Sequence, residues 1–377
     1  MTPGFPPAST RRLVVKIGSA LLVDPSSHIR EDWLRTLVAD IAARRSAGQQ
    51  IILVSSGAIA LGARRLALPK GGRANLEDAQ AAAAVGQIAL SQSWAMLLGE
   101  RGITAAQILV TLDDLEHRRR YLNASATLER LIGLGVVPVV NENDSVATEE
   151  IRFGDNDRLA ARIGQAGNAD AVVLLSDIDG LYTANPQSDP AATLVPLVSR
   201  IDAAIEAMAD GDSASGMGSG GMLSKIAAAK IACAAGAHLA IISGKRDHPL
   251  AAWEADGRGT IFAAATGQGT GGRARKTWLA GRITVRGKVS IDAGAAKALA
   301  AGNSLLPAGV RTVEGVFARG DLIEITGVDA RPVARGLSEY DSADALRIAG
   351  KRSADIDAML GVTRRSVLVH RDHMILL

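Results

Sequence analysis

IILVSSGAIALGARRL, residues 51–66, is the stretch from which the fold can be read. Four apolar residues run into Ser55-Ser56-Gly57, and a helical pattern follows. Strand, tight turn and helix make the repeating unit of a parallel sheet. Such a unit leaves hydroxyls and backbone N–H groups at the carboxyl end of its strand, where open parallel sheets bind ligands. Upstream the unit recurs. LVVKIGSALL, residues 13–22, is a strand with Lys16 inside its apolar run, two residues before Gly18. Residues 31–49 then read as an amphipathic helix closed by Gly48. A charge in a buried strand is costly unless it is paired or placed at a site. Lys16 therefore marks either a functional position or an exposed edge strand. Ser56 is in the same way either a ligand-facing hydroxyl or a helix N-cap.

Downstream the alternation continues. A long alanine-rich helix over residues 78–99 leads to the strand ITAAQILV, and residues 111–120, TLDDLEHRRR, read as a loop. A helix then ends near Gly133 to Gly135, and the next strand runs into Asn141, Glu142, Asn143 and Asp144. Asp155-Asn156-Asp157 caps a further helix, and a fully apolar strand ends in Ser176-Asp177. Asn and Asp favour turns, but two polar clusters within about 15 residues, each bordering a buried element, exceed what turns require. After a short helix (residues 202–209), a glycine-rich loop, another helix and the strand HLAIISG, the pattern runs to about Ala264. Strands alternating with helices imply a mainly parallel sheet with helices on both faces. Residues 265–281 are Gly/Arg-rich and read as a linker. Residues 282–363 carry short β segments separated by glycine turns, with one short helix (residues 292–302), a closing helix at 353–360 and a last strand in the extension to 377. That texture is a small, mainly β module.

The glycine-rich loop lies within residues 212–236, DSASGMGSGGMLSKIAAAKIACAAG. Gly216, Gly218, Gly220 and Gly221 precede Lys225, which opens the alanine-rich helical run. Glycines let backbone N–H groups converge on an anion, and a helix N-terminus adds positive potential. Two familiar motifs fit only on paper. Gly216, Gly218 and Gly221 match G-x-G-x-x-G but follow a polar loop instead of a strand, and Met222 stands where a P-loop needs its lysine. The stretch is thus an anion nest or a flexible surface loop.

Composition narrows the function classes. The 377 residues carry a net charge of +3, too little to argue for nucleic-acid binding, and 47% apolar residues. Nine of the 42 basic residues are lysine, so a lysine beside a glycine turn is a selective choice. Cys233, the one cysteine, excludes an internal disulfide. The N-terminal residues lack signal-peptide character and no uninterrupted apolar run approaches ~18 residues, so a cytoplasmic protein with no membrane span is expected. No Ser-His-Asp arrangement and no Cys/His zinc spacing stands out. Two glycine-flanked lysines, Lys16 and Lys225, together with Ser, Asn and Asp at strand ends, are the inventory of phosphoryl transfer: cations for the transferring group, N–H groups for phosphates and carboxylates for placement.

LVVKIGSALL, VSSGAIALG, VNENDSV, FGDNDRLA, LLSDIDGLYT and GSGGMLSK occur in this order. Together they resemble the bacterial glutamate 5-kinases, a branch of the amino acid kinase family, and the resemblance extends to a C-terminal segment similar to a PUA domain. It implies an αβα sandwich of the amino acid kinase fold (residues 10–264) and ATP-dependent phosphorylation of the γ-carboxylate of L-glutamate in proline biosynthesis. By motif matching, Lys16 and Lys225 are implied as catalytic cations held by Asp157. Ser56, Asp144 and Asn156 are implied for glutamate, with backbone help from Gly57 and Asn141. Lys16, Ser176 and Asp177, with Ser219, Gly220, Gly221, Met222, Leu223, Ser224 and Lys225, are implied for ATP. Mg²⁺, feedback by proline through the substrate site and residues 111–120, and a dimer or tetramer are further implications. Residues 111–120 are equally open to being an oligomer contact. The basic residues of the tail are scattered and few aromatics lie among them, which argues against RNA as a partner.

Overall fold

The computed structural model describes residues 4–26, 28–146, 155–186, 188–209, 221–264, 285–351, 355–356 and 367–377. The chain divides into two compact units, residues 1–266 and 267–377. In the first, β1 (Arg12–Ile17), β2 (Gln50–Val54), β3 (Ala105–Val110), β4 (Val137–Glu142), β5 (Ala171–Ser176), β6 (Leu197–Val198), β7 (His238–Ser243) and β8 (Thr260–Phe262) form one sheet. Their order is β3-β4-β2-β1-β5-β7-β8-β6. Every pairing is parallel except that of β7 with β8.

The helices are α1 (Ser19–Leu22), α2 (Glu31–Ser46), α3 (Ala58–Arg65), α4 (Leu76–Gly99), α5 (Leu112–Glu116), α6 (Arg118–Gly133), α7 (Asp155–Ala166), α8 (Ala203–Ala207), α9 (Met222–Ala234) and α10 (Pro249–Asp256). β1 and β5 are buried along their whole length, which is why they read as unbroken apolar runs. Leu13, Val15 and Ile17 pack with Trp33, Leu37, Trp94 and Leu97 from α2 and α4. On α7, Gly164 lies so close to β5 that an added Cβ would sit 2.8 Å from Val172 Cγ2.

Several expectations change. β1 is flanked by β2 and β5, with Lys16 in register with Val54 and Leu174, so Lys16 is no edge residue. Ser56 is no N-cap either: Gly57 caps α3 at φ 99° with no side-chain bond. Residues 111–120 hold α5 and the start of α6 instead of a loop, because Thr111 and Asp114 form a capping box that starts a helix there. By length and composition α4 is apolar enough to cross a membrane, yet one face of it, including Leu90, Trp94, Leu97 and Leu98, is buried within the unit.

The second unit is a five-stranded sheet of order β10-β9-β11-β12-β13, from β9 (Gly287–Ile291), β10 (Val310–Gly315), β11 (Leu322–Thr326), β12 (Pro332–Ser338) and β13 (Val369–Leu376). Its own core includes Val289, Ile323, Ile325, Tyr340 and Leu368. A helix at Ser342–Ile348 was not foreseen. Of the closing helix expected at 353–360 only residues 355 and 356 are described, and the linker 265–281 lies outside the described residues.

Candidate active site

Parallel register brings the carboxyl ends of β1, β2, β4 and β5 to one side of the sheet, and two polar clusters meet there. The first is charged. Asp157, fully buried in the first turn of α7, lies with Oδ1 2.6 Å from Lys16 Nζ and accepts a 3.2 Å hydrogen bond on Oδ2 from Lys225 Nζ. The Lys16 contact is a close ion pair. Lys16 and Lys225 are themselves only 8% and 5% exposed. Burial works to raise the Asp157 pKa, but the two ammonium groups outweigh it and hold the carboxyl below its ordinary value. Within this trio one carboxylate faces two ammoniums, a positive balance among the three side chains. A buried positive balance of this kind suits a site that receives an anion.

The second cluster is neutral. Asn156, the residue before Asp157, donates from Nδ2 to Ser56 Oγ at 2.6 Å, to Ser55 O at 3.2 Å and to Asn141 Oδ1 at 3.3 Å. Asn141 Nδ2 donates in turn to Gln87 Oε1 of α4 at 2.7 Å. Trp94 Nε1, also from α4, donates to Ser55 Oγ at 2.9 Å and stiffens the turn from behind. Asn156 Oδ1 is buried and has no hydrogen-bond partner among the described residues. An unpaired buried acceptor is costly unless a ligand supplies the donor. Both α4 contacts escaped sequence reading. A single amide and an indole in an alanine-rich helix carry no motif, and only the mid-helix Gly86 hinted at a close approach there.

The remaining expected residues are placed as follows. Asp144 lines a cavity of about 360 Å³ with Gln87, Glu142, Asn143 and Ser145, and its charge acts on the guanidinium of Arg73. Burial lowers the pKa of Arg73, against which the Asp144 carboxylate works. Ser176 ends β5, one strand from Lys16, and donates from Oγ to Asp177 Oδ1 at 3.0 Å. Gly221 is the N-cap of α9, and Met222, Leu223, Ser224 and Lys225 form its first turn. Gly216, Gly218, Ser219 and Gly220 lie outside the described residues. Among the described residues no group of three or more His, Cys, Asp and Glu side chains could hold a metal ion.

Comparison with known proteins supplies the lineage. The profile of the amino acid kinase family matches residues 11–243. The chain belongs to the amino acid kinase family. In this kinase a PUA domain matches residues 287–360, which hold β9 to β12 of the five-stranded sheet. A glutamate 5-kinase of Sphingopyxis alaskensis is 66% identical over 373 residues, 99% of each chain. One from Zymomonas mobilis is 61% identical, over 99% of this chain and 93% of that one. Among solved structures, an isopentenyl phosphate kinase aligns with 67% of this chain and 100% of its own at 18% identity and a TM-score of 0.47.

Proposed function

We propose that this amino acid kinase transfers the γ-phosphoryl group of ATP to the γ-carboxylate of L-glutamate, giving L-glutamyl 5-phosphate. The observation that carries the reading is the Lys16–Asp157–Lys225 cluster, two buried ammoniums held by one buried carboxylate. The names of the relatives supply the acceptor. In this reading Lys16 and Lys225 hold the transferring group from two sides and take up charge as the bond to the leaving phosphate breaks. Asp157 keeps both ammoniums in place. A carboxylate is nucleophilic at neutral pH, so the acceptor oxygen attacks phosphorus in line without a general base. Ser56, Asn141 and Asn156, with the Gly57 N–H, hold the acceptor, and Asp144 faces its ammonium. Ser176, Asp177 and the start of α9, from Gly221 to Lys225, flank the nucleotide, with Ser219 and Gly220 just before it.

The described residues make no metal cage, so Mg²⁺ is proposed to be held by ATP phosphates and water, as Mg²⁺ commonly is. Proline feedback is proposed through the acceptor pocket and residues 111–120. The adjacency of that segment supports this, since Asn143 N donates to Val110 O at the end of β3. A cytoplasmic homo-oligomer, dimer or tetramer, completes the proposal. So does the division into a kinase domain (10–264), a linker (265–281) and a PUA-like domain (282–363). The test is ATP consumption with glutamate, aspartate, acetylglutamate and UMP as acceptors. Turnover with glutamate alone is expected, and preference for any of the others would overturn the reading.

A further inference from the structure

About six turns of α4 carry no charge. Residues 79–99 hold no Asp, Glu, Lys, Arg or His, in a chain of which 21% is charged. One face of the stretch is buried, but Ala84, Ile88, Gln92, Ala95 and Met96 are exposed, Ile88 by 66% and Met96 by 42%. Other long helices carry charge where they meet water, α2 at Glu31, Asp32 and Arg35, α6 at Arg119 and Arg130. A solvated helix face is ordinarily charged or polar, and a continuous patch without charge marks a place where another surface sits.

Beside α4, β3 ends the sheet. Residues 102–112 are uncharged as well, and β3 has no proline, lysine or bulge to blunt its edge. Thr104 O and Val110 O accept from Val137 N and Asn143 N on the β4 side. Backbone groups alternate sides along a strand, so those of Ala105, Gln107 and Leu109 face outward from the sheet. The exposed face of α4 and this edge belong to one surface, because Ile88, Ser91, Gln92 and Ala95 share a cavity of about 420 Å³ with Ala105 and Gln107. The cavity that holds Asp144 opens there too, with Ile88, Ser91, Gln107 and Leu109 as its other wall.

What covers such a surface must be uncharged there and must present a strand edge. A second copy does both. Turned about a two-fold axis at Gln107, β3 meets its counterpart antiparallel: Gln107 faces Gln107, Ala105 faces Leu109, and each such pair exchanges two hydrogen bonds. The patch runs about 36 Å along α4 and ~20 Å across the helix and sheet layers, roughly 700 Å² per copy. Specific interfaces bury about 600–1,000 Å² on each partner. We infer that the uncharged face of α4 and the outer edge of β3 form an interface between two copies of this chain, and that the second copy closes the open side of the cavity holding Asp144. The inference deepens the homo-oligomer reading, and its catalytic part rests on Asp144 as an acceptor residue.

Sedimentation velocity on the full chain tests the assembly. Met96→Glu places a carboxylate on the exposed face outside both cavities. It should halve the sedimenting mass while circular dichroism stays that of the parent chain. Gln107→Pro should act alike, since the N–H it removes points away from β4 and the fold loses no ladder bond. In Met96→Glu the KM for glutamate should rise at least ~5-fold and that for ATP less than ~2-fold. On a Cys233→Ala background, a short bismaleimide should join Gln107→Cys chains into a covalent dimer, whereas Leu197→Cys, 54% exposed on β6 at the opposite edge of the sheet, should stay single. A monomeric parent chain would overturn both this inference and the homo-oligomer reading. A parent oligomer whose mass neither substitution changes, or cross-linking no better at residue 107 than at 197, would remove this surface and leave the oligomer to another face. A halved mass with an unaltered glutamate KM would remove the closing of the cavity.

Discussion

The two halves of the site solve the problem of buried polarity in opposite ways. Around Asp157, one buried carboxylate is packed between two buried ammoniums. Around Asn156, uncharged groups hydrogen-bond one another, and a single buried acceptor atom, Asn156 Oδ1, is left over among the described residues. A buried ion cluster is expensive and breaks badly when one member is removed. A neutral relay costs little to bury and distinguishes ligands by the direction of its hydrogen bonds. On the proposed function, affinity for the transferring group and discrimination between acceptors would belong to different chemistries.

Removing the hub of the charged half is the severest test of that contrast. Asp157→Ala strands two ammoniums in the interior. It should destabilise the kinase domain by about 3–5 kcal/mol, read by urea unfolding, and abolish measurable turnover. A stability change below ~1 kcal/mol would mean the cluster is not the buried device described. Lys225→Ala leaves Asp157 paired with Lys16. Folding should then survive while kcat falls at least ~10²-fold, and near-normal turnover would end its role as a transition-state cation. Away from the charged cluster the effects should appear in binding. Asp144→Ala should raise the KM for glutamate ~10-fold or more and that for ATP far less, and equal changes would remove Asp144 from the acceptor pocket.

Acid should expose the difference more gently. The folded-state pKa of Asp157 lies below the ordinary 3.8. Its stabilising contribution is therefore complete above that value and is lost as pH falls below it toward the folded-state pKa. The slope of unfolding free energy against pH in that range should flatten in Asp157→Asn, whereas Asn156→Ala should leave it unchanged.

How far the sequence disclosed these halves depends on what each costs. Lys16 was legible because a cation inside an apolar strand needs a reason. The reason, Asp157, lay 141 positions away and was visible only as one member of a polar turn. Lys225 announced itself through the glycines before it, although α9 begins at Met222, three residues earlier than the alanine run suggested. The parallel sheet followed from unbroken apolar strands, while β6 and β8, two and three residues long, left no periodicity to detect. α5 was read as a loop because its length hides any helical period and its capping box is the sole signal. Gln87 and Trp94 were silent for another reason. Their bonds are uncharged and long-range, and nothing in an alanine-rich helix makes one amide or one indole conspicuous.

Asn156 and Asp157 are consecutive residues in the first turn of α7, one facing each half of the site. The two clusters therefore hang on Cα atoms joined by one trans peptide, a covalent spacer of about 3.8 Å. Packing elsewhere can breathe, but that interval cannot stretch. On the proposed function, the spacing between the side chains that hold the acceptor and those that hold the transferring group would thereby start from bond lengths, the stiffest gauge a polypeptide possesses.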